Sequence, residues 1–189
     1  MEAGLVPGRV CDTCNVCCIV PKIDDPELRK LPGHRCQNAL PDGACAIYER
    51  RPRTCREFFC GWRQLSWLDE RLRPDRSGIF MRLTQDEALA VGPQQLALMV
   101  TVLGRDSLNA PGLVEAITTA IDAGIDTYLV LPGPPGYTSC RKRLNRALPA
   151  AGGRADRDAA PIALAAVYEE LLANIHTTRP VVLAGRADP

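Results

Sequence analysis

Histidine is almost missing from this chain of 189 residues, which has only His34 and His176. Neither lies in a nucleophile motif, so no Ser/His/Asp triad can be assembled. Lysine is scarce too, with Lys22, Lys30 and Lys142 alone. The remaining basic residues are arginines, and with the many Ala and Gly this matches the codon bias of a GC-rich genome, so arginine clusters carry less weight. No charge of one sign dominates. The net charge is +1, residues 1–60 hold nine Lys/Arg against eight Asp/Glu, and the rest hold fourteen of each. That balance excludes a polyanion-binding tail. No apolar run reaches the roughly 18 residues of a membrane helix. The amino terminus, MEAGLVPGRV, has no basic region followed by an apolar stretch, so no secretory signal is predicted. There is no internal repeat and no glycine-rich dinucleotide fingerprint, which leaves an ordinary doubly wound methyltransferase poorly supported. The LPGPPG run at 131–136 fails as a phosphate loop because Pro132, Pro134 and Pro135 have no backbone N–H to donate. These absences predict a soluble cytoplasmic protein without a membrane segment.

Cysteine, by contrast, is abundant and local. Eight of nine cysteines fall in the first sixty residues: Cys11, Cys14, Cys17 and Cys18 in a tight run, then Cys36, Cys45, Cys55 and Cys60. In a reducing compartment such a pattern reads as ligation or catalysis before it reads as disulfides, and the odd total and the adjacent Cys17–Cys18 pair point the same way. The three-residue spacing of Cys11, Cys14 and Cys17 lets a turn or helical start aim all three at one centre, a geometry that iron–sulfur clusters and zinc both accept. A simple ferredoxin is excluded, because Cys18 follows Cys17 at once where that run needs three intervening residues. Neighbours in sequence point in different directions, so Cys18 is expected to serve a second site or support the first. His34, two residues before Cys36, is weighed as a further ligand and reads instead as a surface residue. Pro41, Asp42 and Gly43 predict a reverse turn that brings Cys36 opposite Cys45. Five of the nine aromatics, Tyr48, Phe58, Phe59, Trp62 and Trp67, lie in or after this stretch and can wall a metal from water or simply pack a core. Arg50, Arg51, Arg53 and Arg56 can offset thiolate charge. Nucleic-acid binding is the weaker reading of these arginines, given the interleaved Glu49 and Glu57 and the overall neutrality.

CDTCNVCC at 11–18, then Cys36, GACAIYERRP, Cys55-Arg56 and Cys60 together resemble the bacterial cysteine-cluster family named for its CxxCxxCC signature, the YkgJ-like zinc- or iron-chelating domain. All eight cysteines match that pattern over about fifty residues. The family includes flagellin lysine N-methylases, for which an iron–sulfur cluster is implied. The resemblance therefore implies metal binding by Cys11, Cys14, Cys17, Cys18, Cys36, Cys45, Cys55 and Cys60. It leaves a [4Fe–4S] cluster with redox or protein-modifying chemistry, zinc in two four-cysteine structural sites of an adaptor, and metal handling as alternative functions. The partner it suggests is another protein.

Beyond the cysteines, patterning predicts an α+β fold in which a small Cys-rich metal-binding lobe packs on a ββαβ layer with a C-terminal helix. The expected regions are 1–68 for the lobe, 69–149 for the α+β layer, and 150–189 for linker, helix and tail. GIFMRL at 78–83 and LALMVTVL at 96–103 are predicted to pair as antiparallel strands. A helix over 112–123 with Leu113, Ile117, Ala120 and Ile121 on one face, and a strand over 127–131, follow. Ile162 to Asn174 is predicted helical, with Leu164, Val167, Tyr168, Leu171 and Leu172 as its apolar stripe. A short helix is expected from Asp25 or Pro26 to Lys30 and another over Arg53–Phe59. RKRLNR after Cys140 is expected to be a basic turn or helix. Residues 150–160 read as a flexible linker and Thr177–Pro189 as a frayed tail. Cys140 itself reads as packing rather than as a reactive thiol.

Overall fold

The computed structural model describes residues 4–92, 95–148, 150–151 and 154–184. Its centre is a four-stranded sheet made by β3 (Ile79–Thr84), β4 (Ala97–Val102), β5 (Asp126–Leu131) and β6 (Cys140–Arg143), in that order. β3 and β4 are antiparallel, β4 and β5 parallel, and β5 and β6 antiparallel. The parallel pair requires a crossover, which α4 (Leu113–Asp122) supplies. Every residue of β4 is buried, because it is central and covered on both faces; this is why it reads as a continuous apolar run and not as an alternation.

The two faces of the sheet have different neighbours. Ile79 and Met81, then Leu98, Val100 and Val102, then Leu129 and Leu131 point to the helices and share one core with Leu113, Ala116, Ile117 and Ala120 of α4. Leu164, Val167, Tyr168 and Leu171 of α5 (Ala160–Ala173) complete it. Leu172, expected on that stripe, is exposed. Trp62, Leu65 and Leu68 also enter this core. The opposite face carries Phe80 and Arg82 on β3, Met99 and Thr101 on β4, Tyr128 and Val130 on β5, and Arg141 and Arg143 on β6, as the register requires. Leu89 and Ala90 cover one end of that face. The other end looks toward the cysteines. The expected α+β architecture is present, and among the described residues no helix is long and apolar enough to cross a membrane.

Four local expectations are corrected. Residues 25–30 form no helix; β1 (Ile23–Asp25) and β2 (Leu28–Lys30) make a hairpin instead, turned by the Asp25 carboxylate accepting from the Glu27 amide at 2.9 Å. Lys30 is buried there because its ammonium donates to the carbonyls of Ile19, Pro21 and Leu31. RKRLNR begins as strand β6, an edge strand whose arginines take one face while Cys140 takes the other, an alternation too short to stand out in sequence. The 150–160 stretch contains a two-residue pairing of β7 (Ala150–Ala151) with β8 (Arg154–Ala155), and the Ala155 amide donates to Asp122 at 2.8 Å. The tail is tied back as far as 184, since Thr138 donates to the Arg179 carbonyl and Val181 to the Gly136 carbonyl, both at 2.8 Å. Residues 185–189 of the expected frayed tail lie outside the described residues.

Candidate metal centre

The cysteine lobe is built from turns. Cys14 donates its amide to the Cys11 carbonyl and Cys18 to that of Asn15, both at 2.8 Å, so CDTCNVCC winds through two tight turns that keep its thiols on one side. The Cys36 amide reaches the Cys18 carbonyl at 2.9 Å, which joins the second cysteine segment to the first. The Pro41–Asp42–Gly43 turn forms as expected, but the residue it sets opposite Cys45 is Ala39 and not Cys36. Gly43 has φ of 97°, and a Cβ there would overlap the Thr13 carbonyl oxygen; only glycine lets this turn seat against the CxxC run. Residues 48–50 and α1 (Arg53–Glu57), followed by α2 (Gly61–Gln64), deliver Cys55 and Cys60, and α3 (Pro74–Ser77) then leads into β3.

Two buried cations that sequence reasoning missed hold this together. Arg9 donates to the Trp62, Leu65 and Leu68 carbonyls and to Glu70 at 2.5–2.9 Å, while its guanidinium lies 5.2 Å from the Trp62 ring centre. Arg73 donates to the Cys11 carbonyl at 2.9 Å and pairs with Asp75. Both tie the loop entering the first cysteines to the segment leaving the last. A lone arginine in a glycine-rich loop gives no sequence signal for such a role.

Seven of the eight expected ligands, all but Cys60, line a single cavity of roughly 760 Å³ whose far wall is the open face of the sheet. Electrostatic influence divides the thiols into two neighbourhoods. Cys17 feels Cys11 and Cys14, Cys14 feels Cys60, and Cys60 feels Cys11. Cys55 feels Cys18, Cys36 and Cys45. The two sets touch: Cys11 also feels Cys18, and the Cys17 thiol and the Cys18 sulfur, adjacent in the chain, stay within hydrogen-bonding reach. Cys140 lies on the helix side of the sheet, with Sγ 3.4 Å from the Asn174 carbonyl oxygen, and takes no part.

Burial holds the Cys11, Cys55 and Cys60 thiols above their ordinary range and pushes Cys14 up to about 11. Cys17 is raised first by its hydrogen bond to Cys18 and then by burial. Cys18 moves the other way, to about 7, because Cys17 donates to it and Lys30, Arg51 and Arg35 lie near. Of the arginines expected to offset thiolate charge, Arg51 does so. Arg53 pairs with Glu57 and Arg56 donates to the Arg51 carbonyl, while Arg63 and Arg73 take the counter-charge role beside Arg51.

The aromatic wall is real in part. Tyr48, Phe58 and Phe59 line the cavity, Phe58 stacks on Phe80 at 6.1 Å, Trp62 belongs to the helix-side core and Trp67 is exposed. His34 is exposed, as expected of a surface residue.

Among the described residues, no three Cys, His, Asp or Glu side chains are gathered tightly enough to hold a metal ion as they stand. The donor chemistry nevertheless fits one. The candidates are all soft thiolate ligands, they fall into two sets of four, and cations surround them. No family model, no curated protein and no solved structure matches this chain.

Proposed function

We propose that this chain is a metal-binding cysteine-cluster protein that holds an iron–sulfur centre through thiolates of Cys11, Cys14, Cys17, Cys18, Cys36, Cys45, Cys55 and Cys60, and works in redox or protein-modifying chemistry in the cytoplasm. The observation that carries this reading is the cavity. Seven of these cysteines face a chamber of roughly 760 Å³, within the size range of ligand-binding pockets, and its opposite wall is a packed sheet. A purely structural zinc site is closed by its own four ligands and has no use for such a chamber. When bound, an iron–sulfur cluster would supply one-electron chemistry. The residues of this chain would ligate it, screen it from water with Tyr48, Phe58 and Phe59, and offset its charge with Arg51, Arg63, Arg73 and Lys30.

The division of the thiols into two sets of four favours a second reading, a zinc-stabilised adaptor with two tetrahedral sites. Anaerobic purification separates the two. The iron–sulfur reading expects brown protein, broad absorption that bleaches on reduction, and comparable iron and acid-labile sulfide, all reduced in Cys14→Ser. A colourless protein with two zinc ions and no sulfide would replace it with the adaptor. Full metal content retained in each of the Cys11→Ser, Cys14→Ser and Cys17→Ser variants would remove that run from the ligand set.

A further inference from the structure

Arg82 and Arg141 stand on β3 and β6, the two edges of the sheet, three strand spacings across and two residues along from each other, with backbones roughly 16 Å apart. Both line the cavity. Arg82 is half-buried and Arg141 exposed; burial first, and then the charge of Arg141, lowers the Arg82 pKa. Among the described residues, neither makes an ion pair or a hydrogen bond. Asp86 acts on Arg82 only from beyond ion-pair distance. Three other arginines buried or half-buried in the fold have partners: Arg9 donates to three carbonyls and Glu70, Arg73 pairs with Asp75, and Arg143 pairs with Asp126. Nor do Arg82 and Arg141 figure as the counter-charge of the thiols. The cations that act on Cys11 and Cys18 are Arg51, Arg63, Arg73, Lys30 and Arg35, all outside the sheet.

Arg141 is exposed and hydrated, but the half-buried Arg82 holds its charge against an apolar wall with a second cation near and no anion at ion-pair distance, an arrangement that an anionic ligand would relieve. Arginine's planar fork suits a carboxylate or phosphate, which can accept two parallel hydrogen bonds from each side. Between the two guanidiniums the sheet presents Met99, Thr101 and Val130, with Phe58 stacked on Phe80 beside them. We propose that Arg82 and Arg141 bind the anionic head, a carboxylate or a phosphate, of a ligand whose apolar body lies along Phe58, Phe80 and Met99. This names the substrate class of the cavity described above and rests on reading it as a reaction chamber. It does not depend on which metal the cysteines hold.

Calorimetric titration of the full chain, as purified anaerobically, tests the site with phenylacetate and phenyl phosphate as probes and 2-phenylethanol as the uncharged control. Saturable binding of one or both anions is expected, the tighter identifying the head group, with the alcohol at least about tenfold weaker. Arg82→Gln and Arg141→Gln should each weaken the anion about tenfold or more, whereas Arg157→Gln, remote from the cavity, should leave it unchanged. Arg141→Gln also separates a ligand site from a structural role. Relief of the repulsion should hold or raise the melting temperature of the free protein at low salt, whereas loss of a structural contact would lower it. No anion binding, equal binding of the alcohol, or undiminished binding in the double variant would overturn the proposal. Metal content measured on the same preparations keeps the two readings apart. Absent metal with intact anion binding removes the iron–sulfur reading alone, and full metal without anion binding removes this one alone.

Discussion

Between Pro74 and Ala173 the chain buries Ile79, Phe80, Leu98, Val100, Leu113, Ile117, Leu129 and Leu164 almost completely. Between Gly4 and Trp67 the buried apolar residues are Val16, Leu28, Cys36 and Trp62, and Trp62 belongs to the helix-side core. Each large buried apolar side chain contributes about 1.5–3 kcal/mol. The sheet and its helices therefore have a core that opposes chain entropy, while three buried residues cannot do so for sixty. The cysteine lobe relies instead on turns and on carbonyls gathered around Arg9 and Lys30, to which the proposed function adds a metal held by its thiols. A region rich in polar and thiol ligands but poor in apolar burial is one whose order is tied to its ligand.

The largest effect should come from stripping the metal. Hydrogen exchange across residues 11–60 is expected to accelerate strongly after chelation under reducing conditions, with β3–β6 and α4 still protected. Equal protection before and after would erase the contrast between the two regions.

Ile117→Ala sharpens it from the other side. A fully buried helix residue facing the sheet is lost, so the helix-backed region should be destabilised by about 2–5 kcal/mol in denaturant unfolding. Metal content should hold under native conditions.

Arg9→Ala should cost about 3 kcal/mol, because three carbonyls and Glu70 lose a buried charged donor. Its loss joins the two regions' fates, so metal retention and melting temperature should fall together; a fall in only one would show that Arg9 serves a single region.

The smallest effect is chemical. In reduced, metal-free protein the lobe loosens, but the hydrogen bond from Cys17 to Cys18 joins chain neighbours, so Cys18 should still be the first thiol alkylated by iodoacetamide, its rate rising as pH climbs through about 7. A folded pKa below the ordinary thiol value means that Cys18 contributes stability at high pH that fades as pH falls through about 7. Peptide mass mapping of the alkylated sites checks the order.

Much of the fold was legible from local pattern. β3, β4 and α4 follow from apolar runs and helical spacing with proline and glycine punctuation, and α5 from its stripe, because each helix buries one face that its periodicity records, while β4, buried on both faces, leaves an unbroken apolar run. The β1–β2 hairpin did not, since Asp24, Asp25, Glu27, Arg29 and Lys30 look like a solvated helix until carbonyls around the Lys30 ammonium make burial acceptable. β6 was hidden because its strand state comes from pairing with β5, and its residues by themselves carry charge. Of the eight cysteines singled out by type and spacing, seven, all but Cys60, line the cavity. The buried arginines around them, Arg9, Arg63 and Arg73, were not legible, since nothing in an arginine-rich chain marks which ones will be buried.

The sequence by itself determined the inventory of thiols, the tight turns that expose them and the single amphipathic face of each helix, because spacing and residue type act over a few positions. Only the tertiary structure decided that Arg82, Met99, Val130 and Arg141 share one face and that this face looks across a cavity at Cys11 and Cys55. Strand register and the parallel crossover set those neighbours, and both depend on contacts between residues tens of positions apart that no local pattern encodes.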